Sequence, residues 1–267
     1  MSRRTPHLLG LVAAALAWSA TAGEPLEMRV ESEVYADGGA TPVAKSLTLF
    51  RDGLAWDFLD GPGEHGEIVL HDPARERVVV IDARRNVKTE VDSLRLERLS
   101  VSLAAWARRS DDRLVRWAGG PEFAPEPGAD EGTLRLAGPR VRYEIVADDA
   151  PSADAAETYR RFADTAILLR ALLHPGGLPP FPRLALNKRV AESGGIPGSV
   201  TLEIDARAAL LGARPHVLRS VHKVHPRLLA SDRDRIEDAE ARIALAEAVD
   251  LTAYVEPTTA APVTAAK

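Results

Sequence analysis

The 267-residue sequence contains no cysteine. This absence excludes disulfide bonds and cysteine-ligated metal sites, and it excludes a cysteine that could carry a lipid anchor. No stretch approaches the roughly 20 apolar residues that a membrane-spanning helix needs, so we expect that the chain does not span a membrane. The formal net charge is −5 and the arginines are dispersed, which argues against a nucleic-acid partner.

Motifs that identify common enzymes and cofactor-binding folds are missing as well. The sequence has neither the G-x-S-x-G pattern of a nucleophile elbow nor a P-loop, and no strand–glycine–helix unit surrounds Gly194 and Gly195. We therefore predict no catalytic residue and no cofactor. One enzymatic alternative stays open, a hydrolase in which His71, Asp72 and Asp82 supply general-base chemistry.

A metal site is not expected either. His222 and His225 are three residues apart, a spacing that places them on opposite faces of a strand. Together with His216 they could converge on a zinc ion only if the chain bends, because a zinc site needs three or four converging ligands. We expect these histidines to be exposed or to lie on an edge strand.

The amino-terminal residues have the layout of a secretory signal peptide. Arg3 and Arg4 give a basic start, and Leu8–Trp18 is a short apolar run that ends before the small residues of an A-T-A motif. We predict that residues 1–22 are a signal peptide removed after Ala22, and the loss of its two arginines changes the formal charge from −5 to −7. The expected location is the periplasm, or otherwise the extracellular space.

Alternation of apolar and polar residues predicts a series of short strands in the first half of the chain. The first strand covers Met28–Val34, and an Asp52-Gly53 turn precedes a strand that has Trp56 and Phe58 on one face. Further strands are expected at Ile68–Leu70 and Val78–Ile81. The connections are too short for crossover helices, so the pattern predicts an antiparallel meander.

Two amphipathic helices are predicted, one after Asp92 and one over Ser152–Leu173. The first has an apolar stripe that ends at Trp106, and the second has a longer stripe that includes Phe162 and Leu169. An exposed loop at residues 119–131 and two short strands separate the two helices.

The remaining chain is predicted to contain three strands, at residues 184–191, 200–205 and 216–224, and a last helix at residues 231–249 that Ser231 caps. The shallow apolar stripe of this helix indicates a peripheral position. Residues 256–267 lack core-forming side chains, which is typical of a disordered tail. Residues 23–255 are thus expected to fold as a single α+β domain.

An antiparallel sheet of this size has one large concave face, which the two long helices are expected to cover. A curved sheet that helices close incompletely leaves an apolar cavity, which suits a lipid or an acyl chain. The residues predicted to line this cavity, from the sheet and from the helical lid, are Leu49, Trp56, Phe58, Val79, Ile81, Tyr143, Phe162 and Leu169. If the same surface instead forms a dry core, we expect an envelope protein-interaction or structural module.

Three stretches of the first half carry a resemblance to a known family. They are R-x-G-L-A-W-D-F from Arg51, Pro62 with the following E-I-V-L strand, and the strand that ends V-V-V-I-D at Asp82. These stretches resemble the LolA/LolB-like superfamily of periplasmic lipoprotein carriers. The resemblance implies a half-open barrel of antiparallel strands with a helical lid, which binds acyl chains. It leads us to expect an exported, non-enzymatic protein that binds a lipid or another apolar ligand.

Overall fold

The computed structural model describes residues 26–60, 66–122, 124–125, 132–204 and 216–256. The predicted signal peptide, the predicted tail beyond Glu256 and part of the predicted loop at 119–131 lie outside these residues. The described residues form a mixed α+β fold around one large, mostly antiparallel sheet.

Strands in the described residues outnumber helices by two to one. The strands are β1 (Met28–Ala36), β2 (Ala44–Arg51), β3 (Leu54–Asp60), β4 (Glu67–Asp72), β5 (Arg77–Asp82), β6 (Val87–Asp92), β7 (Ala124–Pro125), β8 (Thr133–Gly138), β9 (Val141–Asp149), β10 (Gly195–Ile204), β11 (His216–His225) and β12 (Glu247–Ala248). The helices are α1 (Ser93–Arg108), α2 (Arg113–Ala118), α3 (Ala153–Leu173), α4 (Phe181–Glu192), α5 (Ala230–Leu245) and α6 (Leu251–Val255).

All twelve strands belong to one sheet, in the order β12-β6-β5-β4-β3-β2-β1-β11-β10-β9-β8-β7. Strands β1–β6 form one antiparallel meander and β7–β11 form a second. The two meanders are joined where β1 pairs with β11, with Arg29 opposite His225 and Ala36 opposite Leu218. The sheet is open, because the described strands at its two ends, β12 and β7, do not pair with each other.

The predicted hairpin at Asp52-Gly53 is confirmed and sets the register of β2 and β3. Asp52 and Gly53 both have left-handed backbone angles, with φ of 54° and 76°, as a two-residue type I′ turn requires. This turn places Leu49 opposite Trp56 and Phe50 opposite Ala55. Cross-strand partners share a face, so the two pairs lie on opposite sides of the sheet.

We call the side of the sheet that includes Phe50 and Ala55 the α3 face. Helix α3 begins at its predicted cap, where the Ser152 hydroxyl accepts a hydrogen bond from the backbone N–H of Ala155 at 3.1 Å. Its apolar stripe is buried as predicted: Phe162 meets Phe50 edge to face with ring centroids 5.5 Å apart. Farther along the helix, Leu169 packs on the valines of β4 and β5.

The opposite side, which includes Leu49 and Trp56, is called the α5 face. Helix α5 covers it over β2–β5 and buries Ile236 and Ala239 there, so the predicted peripheral helix is in fact a second core layer. Its start also differs from the predicted Ser231 cap, because the Asp232 carboxylate accepts a hydrogen bond from the backbone N–H of Leu229 at 2.9 Å.

The part of the α5 face that α5 does not cover is charged. Lys45 pairs with Glu33 at 2.9 Å and Arg135 pairs with Glu144 at 2.7 Å. This half of the sheet therefore has one helix-covered face and one polar face, as is common for antiparallel sheets.

Helix α1 is present as predicted, with Asp92 as its cap, but the last buried residue of its apolar stripe is Ala107 and not Trp106. Leu96 and Ala107 are buried, whereas Trp106, predicted at the inner end of the stripe, is 54% exposed. The helix packs with Leu96 among the valines of β4–β6, so it covers one end of the α3 face.

The strand predicted over residues 184–191 is wrong, because these residues form helix α4. The residues of α4 that are buried include Pro182, Leu186 and Val190, a four-residue repeat that fits a helix and not a strand. Leu186 and Val190 pack on β8–β10 and extend the cover of the α3 face beyond α3. Strand β10 correspondingly begins at Gly195, ahead of the strand predicted at residues 200–205.

The packing of α4 can be tested by replacing two leucines, Leu184 and Leu186, with alanine. In a strand these two residues would lie on the same face, whereas in a helix they do not. Leu186→Ala removes a fully buried side chain and is expected to lower the free energy of unfolding by about 2–5 kcal/mol. Leu184→Ala, on the other side of the helix and only half-buried, should cost clearly less. Denaturant unfolding of both variants measures the difference. Equal losses would indicate a strand, in which residues 184 and 186 share a face.

Candidate functional site

A pocket of about 580 Å³ opens on the α3 face between the end of α3, the start of α4 and strands β9 and β10. Its lining is mostly apolar, with a few polar side chains. The lining residues are Tyr143, Ile167, Arg170, Ala171, His174, Gly176, Leu178, Pro179, Pro180, Arg183 and Leu202. This composition is typical of a site for a small amphipathic molecule.

The rim of the pocket is built from the connection between α3 and α4. Helix α3 ends at His174, and the L-P-P segment from Leu178 leads into α4. Pro179 and Pro180 have fixed φ angles, so they form a stiff wall beside the pocket. The sequence predicts neither the helix that follows this segment nor the pocket that the segment borders.

Arg183 is the charged group that projects from the first turn of α4 into this pocket. Within the described residues its guanidinium has neither a hydrogen bond nor an ion pair. Burial lowers its pKa below the ordinary arginine value, while Tyr159, Tyr143 and Asp164 act on it electrostatically in the opposite direction. Because an arginine stays protonated in proteins, the pocket contains a partly desolvated cation.

The carboxylate that faces Arg183 most directly is already engaged by other groups. Asp164 accepts hydrogen bonds from the Asn187 amide at 2.8 Å and from Arg160 at 2.7 Å. Arg160 also donates two hydrogen bonds to Glu157. This network ties α3 to α4, and it leaves the charge of Arg183 without a direct partner.

His222 lies on the α3 face of β11, where the charge of Arg183 acts on it. Its ring nitrogens are 2.8 Å from the Ser32 hydroxyl and 3.1 Å from the Ser220 hydroxyl. Burial lowers the pKa of His222 to about 4, and the positive charge of Arg183 lowers it further in the same direction. His222 is therefore neutral near pH 7, and it is enclosed rather than exposed on an edge strand as predicted.

An apolar row leads from the pocket across three strands. Tyr143 pairs with Leu202, Leu202 pairs with Leu218, and Leu218 pairs with Ala36, so all four side chains lie on the α3 face. Tyr143 is buried, whereas Leu218 is 42% exposed. The row thus connects the pocket with a part of the sheet that the helices leave uncovered.

The structure does not bring the predicted cavity residues together on one surface. Leu49, Trp56, Phe58, Val79 and Ile81 lie on the α5 face and pack against or beside α5. Tyr143, Phe162 and Leu169 lie on the α3 face. Of these, Tyr143 lines the pocket described above, and Phe162 lines a neighbouring pocket of about 400 Å³ that also contains His71. A role in ligand binding stays a prediction for each of them.

The residues of the hydrolase alternative are also separated. Neighbouring residues of a strand point to opposite faces, so His71 contacts Phe162 on the α3 face while Asp72 binds Arg75 and Arg77 on the other side. Asp82 pairs with Glu67, at the opposite end of the β4–β5 ladder from His71, roughly 13 Å away along the strand. Asp82 accepts hydrogen bonds from the backbone of the following turn.

The described residues contain no group of three or more histidine, aspartate or glutamate side chains placed to hold a metal ion. Every helix within the described ranges is too short or too polar to traverse a bilayer.

Sequence reasoning misses Arg183 and Leu202, which line the pocket, and His222, on which the charge of Arg183 acts. Arg183 directly precedes the segment predicted as a strand, and nothing in the local pattern distinguishes this arginine from its neighbours. His222 is considered only as a metal ligand. The proximity of these residues depends on the pairing of β1 with β11 and on the course of α4.

The buried, neutral state of His222 predicts a pH dependence of stability. Its pKa is about 4 in the folded chain and 6.5 ordinarily, so the unfolded chain binds a proton more tightly. The contribution of neutral His222 to the free energy of unfolding is complete above pH 6.5 and is lost as the pH falls from 6.5 toward 4. Between pH 8 and pH 5 the loss is about 2 kcal/mol of unfolding free energy.

Denaturant unfolding of the wild type and of His222→Gln at both pH values checks this expectation. The variant cannot take up a proton, so its stability should fall by less over the same interval. Comparing each protein with itself removes the effect of the substitution at neutral pH. Identical pH dependences would contradict a buried, proton-excluding environment for His222.

Comparisons with known proteins give a likeness of fold alone. No protein-family model matches the chain, and no curated protein matches it. Among solved structures, the crystal structure of a LolA superfamily protein from Nitrosomonas europaea matches with a probability of 0.99, over 78% of this chain and 89% of that chain. The two sequences are 8% identical and the TM-score is 0.27. The protein in this match belongs to the superfamily that the sequence resembles.

Proposed function

We propose that this protein is an exported, non-enzymatic carrier that binds a lipid or another apolar ligand on the α3 face of its sheet. The observation that carries the proposal is the pocket between α3, α4, β9 and β10. Its volume of about 580 Å³ is within the usual range for small-molecule sites, about 300–1,000 Å³.

The apolar row beyond the pocket supports a ligand with a chain. Leu202 belongs both to the pocket lining and to the row that ends at the partly exposed Leu218. An acyl chain that starts in the pocket could follow this row and cover its apolar side chains. Covering exposed apolar area is favourable by about 25 cal/mol per Å², which is the driving force expected for such a ligand.

In this proposal the sheet acts as a half-open barrel, in which α3 and α4 are the lid. The lid covers one end of the α3 face and leaves the far ends of β1, β10 and β11 accessible from outside. A ligand could therefore enter along the strands without unfolding of either helix. Its location would be the periplasm or the extracellular space, as the predicted signal peptide implies.

The proposal predicts that the protein purified from its export compartment contains a lipid. Native mass spectrometry should show a bound species of lipid mass, and organic extraction should release it. A bare protein mass, with no uptake of an added fatty acid, would contradict the proposal. That outcome would favour the alternative of an interaction or structural module with a dry core.

A pair of neighbouring substitutions on β10 tests which face of the sheet binds. Leu202→Asn places a polar side chain in the pocket and should weaken binding of an acyl-chain ligand about tenfold or more, because an unpaired amide would face the chain. Thr201→Asn changes the adjacent residue, which lies on the α5 face opposite Arg219, and should leave the affinity unchanged. Fluorescence titration with a labelled fatty acid measures both. Equal effects would place the ligand elsewhere.

A further inference from the structure

The charged side chains that line the pocket on the α3 face are of one sign. Their charge bears on which head group a ligand of this pocket carries. Arg170 and Arg183 line it, and none of its described lining residues is acidic. A purely apolar ligand would leave the positive charge of Arg183 beside a hydrocarbon chain. The positive charge in the lining therefore indicates the head group of the ligand, and this inference rests on the function proposed above.

Arg183 occupies a position that is unfavourable for a cation on three grounds. It is partly desolvated, it has no ion-pair partner within the described residues, and it lies in the first turn of α4, which has no acidic residue. The amino-terminal end of a helix carries a positive partial charge, so it repels a cation and attracts an anion. An anion bound at the guanidinium would offset these costs.

The groups around Arg183 suit an anionic head group. Burial raises the pKa of Tyr143 to about 12, so its phenol keeps the proton and can donate a hydrogen bond. His222, which also faces this region, is neutral near pH 7 and adds no competing negative charge. A guanidinium and a phenol together match the acceptor oxygens of a carboxylate or a phosphate.

The apolar row fixes the direction of the rest of the molecule. Tyr143 stands next to Leu202, and Leu202 stands next to Leu218, so the lining turns from polar to apolar over three strands. An amphiphile with its head at Arg183 would place its tail on Leu202 and Leu218, toward the uncovered end of the sheet.

We propose that this pocket is specific for an anionic single-chain amphiphile, whose carboxylate or phosphate binds Arg183 and whose tail lies along Leu202 and Leu218. Arg183 is the residue that determines specificity, and Arg170 adds positive charge at the pocket edge. Two classes of ligand have such a head group: a free fatty acid, which has the carboxylate, and a lipid phosphate, which has the phosphate.

Three probes that share one tail test the proposal: dodecanoate, dodecyl phosphate and dodecanol. Isothermal titration of the full mature chain at pH 8 should show that at least one anionic probe binds about 10- to 100-fold more tightly than the neutral alcohol, as expected for a charge-assisted contact. The tighter of the two anions identifies the class of ligand. Arg183→Met should remove the preference, so that neither anionic probe binds this variant more tightly than dodecanol does.

A matched control separates this effect from a general loss of positive charge. Lys188→Met also removes one positive charge from α4, but at an exposed position outside the pocket, where the lysine pairs only loosely with Glu192 at 3.8 Å. This variant should keep the full preference for the anion. The melting temperatures of both variants confirm that they are folded.

The outcomes distinguish the inference from the function on which it rests. If all three probes bind with equal affinity, or if Arg183→Met keeps the preference, the head-group inference is wrong while lipid binding stands. If none of the probes binds, both are wrong.

A second readout does not depend on affinity. An anion at Arg183 offsets the charge that faces His222, so dodecanoate should raise the pKa of His222 measured by proton NMR, and dodecanol should raise it less. Ser32 and Ser220, the other groups in contact with the ring, are uncharged. An unchanged pKa with bound dodecanoate would place the carboxylate away from Arg183.

Discussion

The antiparallel pairing of β1 with β11 is the constraint on which the rest of the structure depends. It joins residues far apart in sequence, such as Ser32 and His222, which are separated by 190 positions. Without it the two meanders would each expose an unpaired edge. With it, the apolar row that starts at Tyr143 continues without a break to Ala36, and the enclosed polar contacts of His222 become possible.

The two faces of the sheet differ in what they contain. The α5 face is closely packed, and the α3 face contains the pocket that we propose binds a ligand. On the α5 face, Trp56 is closely packed under Ile236, and the uncovered remainder is occupied by ion pairs. On the α3 face, α3 and α4 are joined by a proline-rich connection, and the pocket lies where the two helices meet. The network around Asp164 holds these helices together beside the pocket rather than across it.

The sequence predicts much of the local structure because alternation and capping are local properties. The strand from Met28, the turn at Asp52-Gly53 and the helix capped by Ser152 are all confirmed. The assignment of faces is harder, because β5 is apolar and buried throughout Val78–Ile81, so its pattern does not tell which side a ligand would meet. The predicted cavity residues therefore divide between two faces of the sheet.

The pocket itself could not be predicted, for a related reason. Its residues come from α3, α4, β9 and β10, and the α4 segment is ambiguous because short apolar runs fit both helix and strand. Only the packing of Leu186 and Val190 on the sheet decides in favour of a helix. Once that helix forms, its first turn places Arg183 at the pocket. This position depends on tertiary packing and cannot be inferred from a short stretch of the sequence.

The two ends of the open sheet have a consequence for self-association. β7 and β12 have only two residues each, β12 runs parallel to its neighbour, and β7 includes Pro125, which has no backbone N–H. Very short edge strands and edge prolines prevent a sheet from being extended by a second chain. The described ends of the sheet are thus poor templates for the addition of a strand from a second molecule.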